Sequence, residues 1–211
     1  MNRQRLLVQI TRLGWIVVLL TGCSARSVQT MATPTPIPPT PMVRLDGQRA
    51  LLVIYEHFQQ REYDIPRAIL EELGCVVTVA SSSLDVLTGT GGAKVRADLL
   101  LSEVHAADYD AIVFVGGTQY GINDPEAQRI AQEAMVRDKV VAAICIAPIT
   151  LAKAGLLQGK RVTAALNPAV LEEYGAIHSG AGVERDGFII TADSPGSSRE
   201  FGETIAAAMG E

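Results

Sequence analysis

The apolar run Val140–Ile144 (VVAAI) ends directly in Cys145, and Pro148 follows three residues later. The run has strand length and Pro is favoured in the first turn of a helix, so this spacing predicts a strand-to-helix elbow with a thiol at its bend. Such a thiol is a candidate nucleophile toward a carbonyl, an amide or an oxidant. A free thiol of pKa about 8.5 is only a few per cent ionised at neutral pH, and a helix N-terminus contributes about 2 kcal/mol at most, or roughly 1.5 pK units. About half thiolate is therefore the ceiling, and full activation needs a second group. Glu62 is the candidate, provided it is protonated, because an ionised carboxylate beside the thiol would raise the thiol pKa. The two would titrate as a coupled pair. Gly116 and Gly117 offer backbone N–H groups with no side chain in the way, a candidate oxyanion site.

These residues must be brought together by the elements before them. Ala50–Tyr55 (ALLVIY), Val76–Ala80, Asp110–Val115 and Val140–Ile144 read as strands, the first buried on both faces and central. Between the first two, Ile65, Ala68, Ile69 and Leu73 recur at helical spacing, with Pro66 expected in the first turn and Gly74 as the stop. Leu87–Val95 reads as a small hairpin excursion, Pro125–Arg137 as a helix, and Pro148–Ala154 as the helix after the elbow. Arg161–Ala165 is a short strand and Pro168–Tyr174 a short helix. Val183–Asp186 and Phe188–Thr191 flank a D-G turn, and Ser197–Met209 closes the chain as a helix. Strands alternating with helices give an α/β fold, a doubly wound and mostly parallel sheet with helices on both faces. In such sheets ligands sit beyond the carboxyl ends of the strands, where Glu62, Gly116, Gly117 and Cys145 all fall.

The sequence resembles the ThiJ/PfpI family, which includes the parkinsonism-associated deglycase and lies in the class I glutamine amidotransferase-like superfamily. The motifs that bear the likeness are AAICIAP around Cys145, YDAIVFVGG ending at Gly117, the E-x-x-I-P arrangement of Glu62, Ile65 and Pro66, and DGFIITADSPGSS near the C-terminus. The resemblance covers roughly Arg49 to Glu211 and implies a flavodoxin-like three-layer α/β/α sandwich and a homodimer; no cofactor is expected. It further implies that Cys145 is the reactive thiol, Glu62 the carboxyl group hydrogen-bonded to it, and Gly117 an oxyanion donor. One departure matters. Peptidase-type members carry His directly after the Cys, where this chain has Ile146; deglycase-type members carry a His on the following strand, where Ala165 stands nearest the place. Positioned proton transfer is worth about 10² to 10⁴ in rate, so proteolysis is disfavoured and chemistry on better electrophiles preferred.

The remaining candidates have plainer readings. Cys75 opens an apolar strand and reads as structural, with no disulfide to Cys145 expected; His57 follows the first strand as a loop residue on the ligand side. His105 and His178 share no paired spacing with it, so no metal site is expected. At the start of the chain, Arg3, Arg5 and Arg12 precede an apolar stretch, Gly14–Leu20, that ends in LTGC. This is a signal-peptide layout, and LTGC resembles the bacterial lipobox, which implies a lipoprotein-type signal peptide over residues 1–23 with Cys23 as the acylated residue; ordinary secretion, with Cys23 incidental, is the alternative. The apolar stretch is far shorter than the ~20 residues that span a bilayer. Residues 24–48, with the run TPTPIPPTP, read as an extended linker, and 49–211 as the folded domain. The expected location is extracytoplasmic, at a membrane held through the lipid on Cys23. A net charge of −5 with no basic block in the domain excludes nucleic acid as a partner. A small-molecule substrate or an oxidant is expected instead. Three functions fit: a glyoxalase- or deglycase-like activity on small reactive carbonyls, a non-catalytic redox or stress protein, and, more weakly, a cysteine peptidase or amidase.

Overall fold

The structure is a computed structural model that describes residues 43–211. The expected signal peptide, its Cys23 and nearly all of the linker lie outside the described residues. No described helix is long and apolar enough to cross a membrane.

The chain runs β1 (Arg49–Val53), α1 (Gln60–Glu72), β2 (Val76–Ser81), β3 (Val86–Thr88), β4 (Lys94–Arg96), β5 (Leu99–Leu100), β6 (Ala111–Phe114), α2 (Pro125–Met135), β7 (Val140–Ile144) and α3 (Pro148–Lys153). It continues through β8 (Arg161–Val162), α4 (Pro168–Glu172), β9 (Ile177–His178), β10 (Val183–Asp186), β11 (Ile189–Ala192) and α5 (Ser198–Met209). Seven strands form one sheet in the order β10-β11-β7-β6-β1-β2-β5, parallel throughout except for β10. The hairpin β3–β4 and the parallel pair β8–β9 stand outside it.

The alternation of β1 sorts the core into two layers. Leu51 and Val53 point to one face, where they meet Ala127, Ile130 and Ala134 of α2 and Leu151 of α3. Ala50 and Leu52 point to the other, against Tyr63 and Leu70 of α1 and Phe201 and Ile205 of α5. This is the three-layer, flavodoxin-like sandwich. Because both faces are covered, β1, β6 and β7 are apolar almost without interruption. Strand order reverses at β1, with β2 on one side and β6 on the other, so the crevice beyond β1 and β6 is the switch point where ligands bind in open sheets.

One boundary differs from its expectation in a way that matters. Helix α1 begins at Gln60, so Pro66 lies inside it rather than in its first turn. The start is held by Gln59, whose side chain accepts from Arg61 N–H at 3.2 Å, and Gln is a weak capping signal in sequence. The bond that Pro66 cannot make is the one to the carbonyl four residues earlier, that of Glu62. α5 packs close over this stretch: a Cβ at Gly202 would come within 3.0 Å of Pro66 Cα. The early start brings Glu62 into the first turn, at the sheet's carboxyl edge.

Candidate active site

Three strand ends converge. β7 delivers Cys145, whose backbone takes φ +65°, a left-handed conformation costly for a residue with a Cβ. The strain is held in place by bonds on both sides: Cys145 N–H donates to Ala192 O at 2.9 Å, and Cys145 O accepts from Ala165 N–H at 2.8 Å. The expected elbow is therefore present, although helix α3 begins only at Pro148, three residues on. Backbone N–H of Ile146 turns back toward the thiol.

Glu62 is fully buried. Its Oε2 accepts from Gly116 N–H at 3.1 Å, whereas Oε1 is sealed from solvent with no well-formed hydrogen bond. The carboxyl group lies against the Cys145 thiol, the one neighbour with a proton to offer it. Gly116 is the floor between them. A Cβ there would fall 2.6 Å from Glu62 Oε2, 2.8 Å from Cys145 Cβ and 3.0 Å from Ile144 O, so only glycine admits this approach.

The second glycine serves a different purpose. Gly117 forms a bridge with Phe58, and a Cβ there would lie 2.6 Å from His57 O. Gln59 N–H donates to Gly116 O at 2.8 Å, and Thr118 N–H donates to His57 O at 3.1 Å. Between these two bonds, Gly117 N–H has no acceptor among the described residues. It is a free donor, as an oxyanion site requires. His57 contributes its backbone, bent to φ +56°, while its half-exposed ring stands 3.9 Å from Glu56.

Electrostatics overturn one expectation. The helix end was expected to lower the thiol pKa, but the thiol is pushed up, first by burial and then by the charge of Glu62. Glu62 is itself raised, to about 7, because burial outweighs the bond from Gly116 N–H. Near pH 7 the thiol therefore holds its proton firmly, while Glu62, with a pKa of about 7, passes from acid to carboxylate. The thiol waits neutral beside a carboxylate able to accept its proton, which is the opposite of a resting thiolate beside a protonated acid.

The other candidates fall elsewhere. Cys75 is buried, its thiol pushed up to about 11 mainly by burial, and neither described cysteine is in a disulfide. His105 precedes a short 3₁₀ turn, and His178 lies on β9 with Nε2 buried and unpartnered. Among the described residues no group of three or more His, Cys, Asp or Glu is placed to hold a metal ion. Asp193, at the end of β11, escaped the sequence reading of the site, although it stands within the DGFIITADSPGSS stretch. Register was the missing signal: Ala192 pairs with Ile144, which sets Asp193 beside Cys145.

Comparison with known proteins agrees with this architecture. A protein of Methanocaldococcus jannaschii, described only as uncharacterized, is 36% identical over 172 residues, 78% of this chain and 84% of that protein. A deglycase of Pyrococcus abyssi is 36% identical over 118 residues, 54% of this chain and 70% of the relative. The crystal structure of a ThiJ/PfpI domain protein from Brachyspira murdochii superposes with a TM-score of 0.73 at 28% identity, covering 78% of this chain and 96% of that one. The DJ-1/PfpI family profile matches residues 48–208, and the chain therefore belongs to the DJ-1/PfpI family.

Proposed function

We propose that the protein is a cysteine-dependent, deglycase- or glyoxalase-like enzyme acting on small reactive carbonyl compounds. The observation that carries this reading is the sealed, unpartnered Glu62 oxygen against the neutral thiol of Cys145. As Sγ bonds to the carbonyl carbon, the thiol proton passes to Glu62 and the carbonyl π electrons move onto oxygen. Gly117 N–H holds that oxygen. The adduct is a hemithioacetal once water protonates the alkoxide, and no oxidant or reductant is consumed. Deglycase-named relatives support the substrate class.

Consumption of methylglyoxal by wild type and by Cys145→Ser tests the reading. Activity should rise through about pH 7 as Glu62 ionises, and should vanish in the variant. Failure of the wild type to turn over methylglyoxal would sink the enzyme reading.

The proposal also places the domain outside the cytoplasm, tethered through acylated Cys23 with residues 24–48 as spacer, on the strength of the N-terminal layout. Incorporation of labelled fatty acid that Cys23→Ala abolishes is the expected result; an unlabelled wild type overturns it.

A further inference from the structure

Asp193 follows β11, one residue beyond the pair Ala192–Ile144, so it stands across from Cys145 on the adjacent parallel strand. Neighbouring strands are about 4.8 Å apart, and the bond from Cys145 N–H to Ala192 O shows that the pairing reaches this level. The backbone is fixed as well, since Asp193 N–H donates to Gly182 O at 3.0 Å.

Two hydroxyl groups hold the Asp193 carboxylate. Oδ1 accepts from Ser197 Oγ at 2.6 Å and from Ser194 Oγ at 2.8 Å. Oδ2 has no donor among the described residues and is not sealed from solvent. No Lys, Arg or His among them forms an ion pair with it. Arg61, exposed in the first turn of α1, pairs with neither Asp193 nor Glu62. Among the causes that raise the thiol pKa, the charge of Asp193 is the smallest, after burial and Glu62. An ionic group fixed by hydroxyls, left without a counter-ion and set one residue past the strand pair that leads into Cys145 is suited to meet a cation brought by a ligand.

We propose that Asp193 sets the charge preference of this site, favouring carbonyl compounds that carry an ammonium or guanidinium group near the electrophilic carbon and rejecting carboxylated ones such as α-keto acids. The inference rests on Cys145 being the reacting thiol, and its test separates the two claims. Methanethiosulfonate reagents differing only in charge, one bearing trimethylammonium and one sulfonate, report the field at Cys145 without any turnover. Cys145→Ser supplies the background from other thiols. The ratio of cationic to anionic rates cancels any change in thiol pKa.

In wild type this ratio should exceed that of free cysteine, and in Asp193→Asn, which retains an acceptor for both serines, it should fall on the order of tenfold. Raising ionic strength from about 0.01 to 0.5 M should shrink the wild-type ratio, a readout independent of how well the variant folds. A ratio equal in wild type and Asp193→Asn overturns the proposal, as does a wild-type ratio no greater than that of free cysteine. Turnover then addresses the other claim. Preference for trimethylammonioacetaldehyde over glyoxylate, lost in Asp193→Asn, supports both; a charge-dependent reagent ratio with no turnover of either aldehyde supports Asp193 while removing the enzymatic reading.

Discussion

Replacing Glu62 by Gln should stabilise the fold at neutral and alkaline pH while removing the group proposed to accept the thiol proton. Gln can keep the acceptor that Gly116 N–H uses, so the change removes a charge and little else. The carboxyl pKa is raised from 4.5 in the open chain to about 7 in the fold, chiefly by burial. A raised acid pKa means that the folded state holds the proton more tightly than the unfolded state. Its contribution is complete below pH 4.5, declines between 4.5 and about 7, and is gone above that. At about 1.36 kcal/mol per unit, the wild type therefore bears about 3 kcal/mol at pH 8 that the Gln variant does not. For a domain of this size that is roughly 6–12 °C in melting temperature. Urea unfolding of both proteins at pH 4.5, 6, 7 and 8 measures the difference. It should be near zero at the lowest pH and grow to the full value at the highest. A difference independent of pH, or a Gln variant less stable at pH 8, would refute the reasoning that a buried carboxylate is being held at a cost.

Substitutions at two positions probe the geometry around the same pair. Gly116→Ala puts a methyl group 2.6 Å from Glu62 Oε2 and 2.8 Å from Cys145 Cβ; it should destabilise by about 1–3 kcal/mol and slow alkylation of the thiol, and a variant matching wild type in both would show that the floor can yield. Cys145→Gly and Cys145→Ala both lose the thiol but only Gly relieves φ +65°, so Gly should be the more stable by about 1 kcal/mol in denaturant unfolding. Equal stability would mean that the elbow is not strained.

The elbow was legible because it is local: an apolar run, a thiol and a proline three residues on leave few alternatives. The sheet's central strands were legible for a related reason, as burial on both faces writes a continuous apolar run. What sequence concealed depends on register and on the sign of an environment. The start of α1 hid behind a glutamine cap and a proline that belongs inside the helix. Asp193 hid because nothing in its own segment says which strand it will face. The thiol pKa went in the opposite direction from its expectation because burial of the thiol, and after it the charge of Glu62, outweighs what a six-residue helix beginning three residues away contributes. The glycines, in contrast, were visible as a pair but not as two separate functions, one admitting Glu62 and the other freeing an N–H.

The absent histidine acquires a physical meaning from this arrangement. Ala165 donates its N–H to Cys145 O, so the chain passes close to the thiol at the place expected for an imidazole and brings only a methyl group. Glu62 can take a proton from sulfur, yet it has no solvent-exposed surface from which to pass one to a group leaving on the open side. Expelling an amide nitrogen without protonating it forms an amide anion, a prohibitively poor leaving group, and a positioned acid is worth about 10² to 10⁴ in rate. Addition to an aldehyde has no leaving group, and water suffices to protonate its alkoxide. A buried base and a free backbone donor therefore match carbonyl addition and oppose peptide cleavage, and Asp193 then bears on which carbonyl compounds come near.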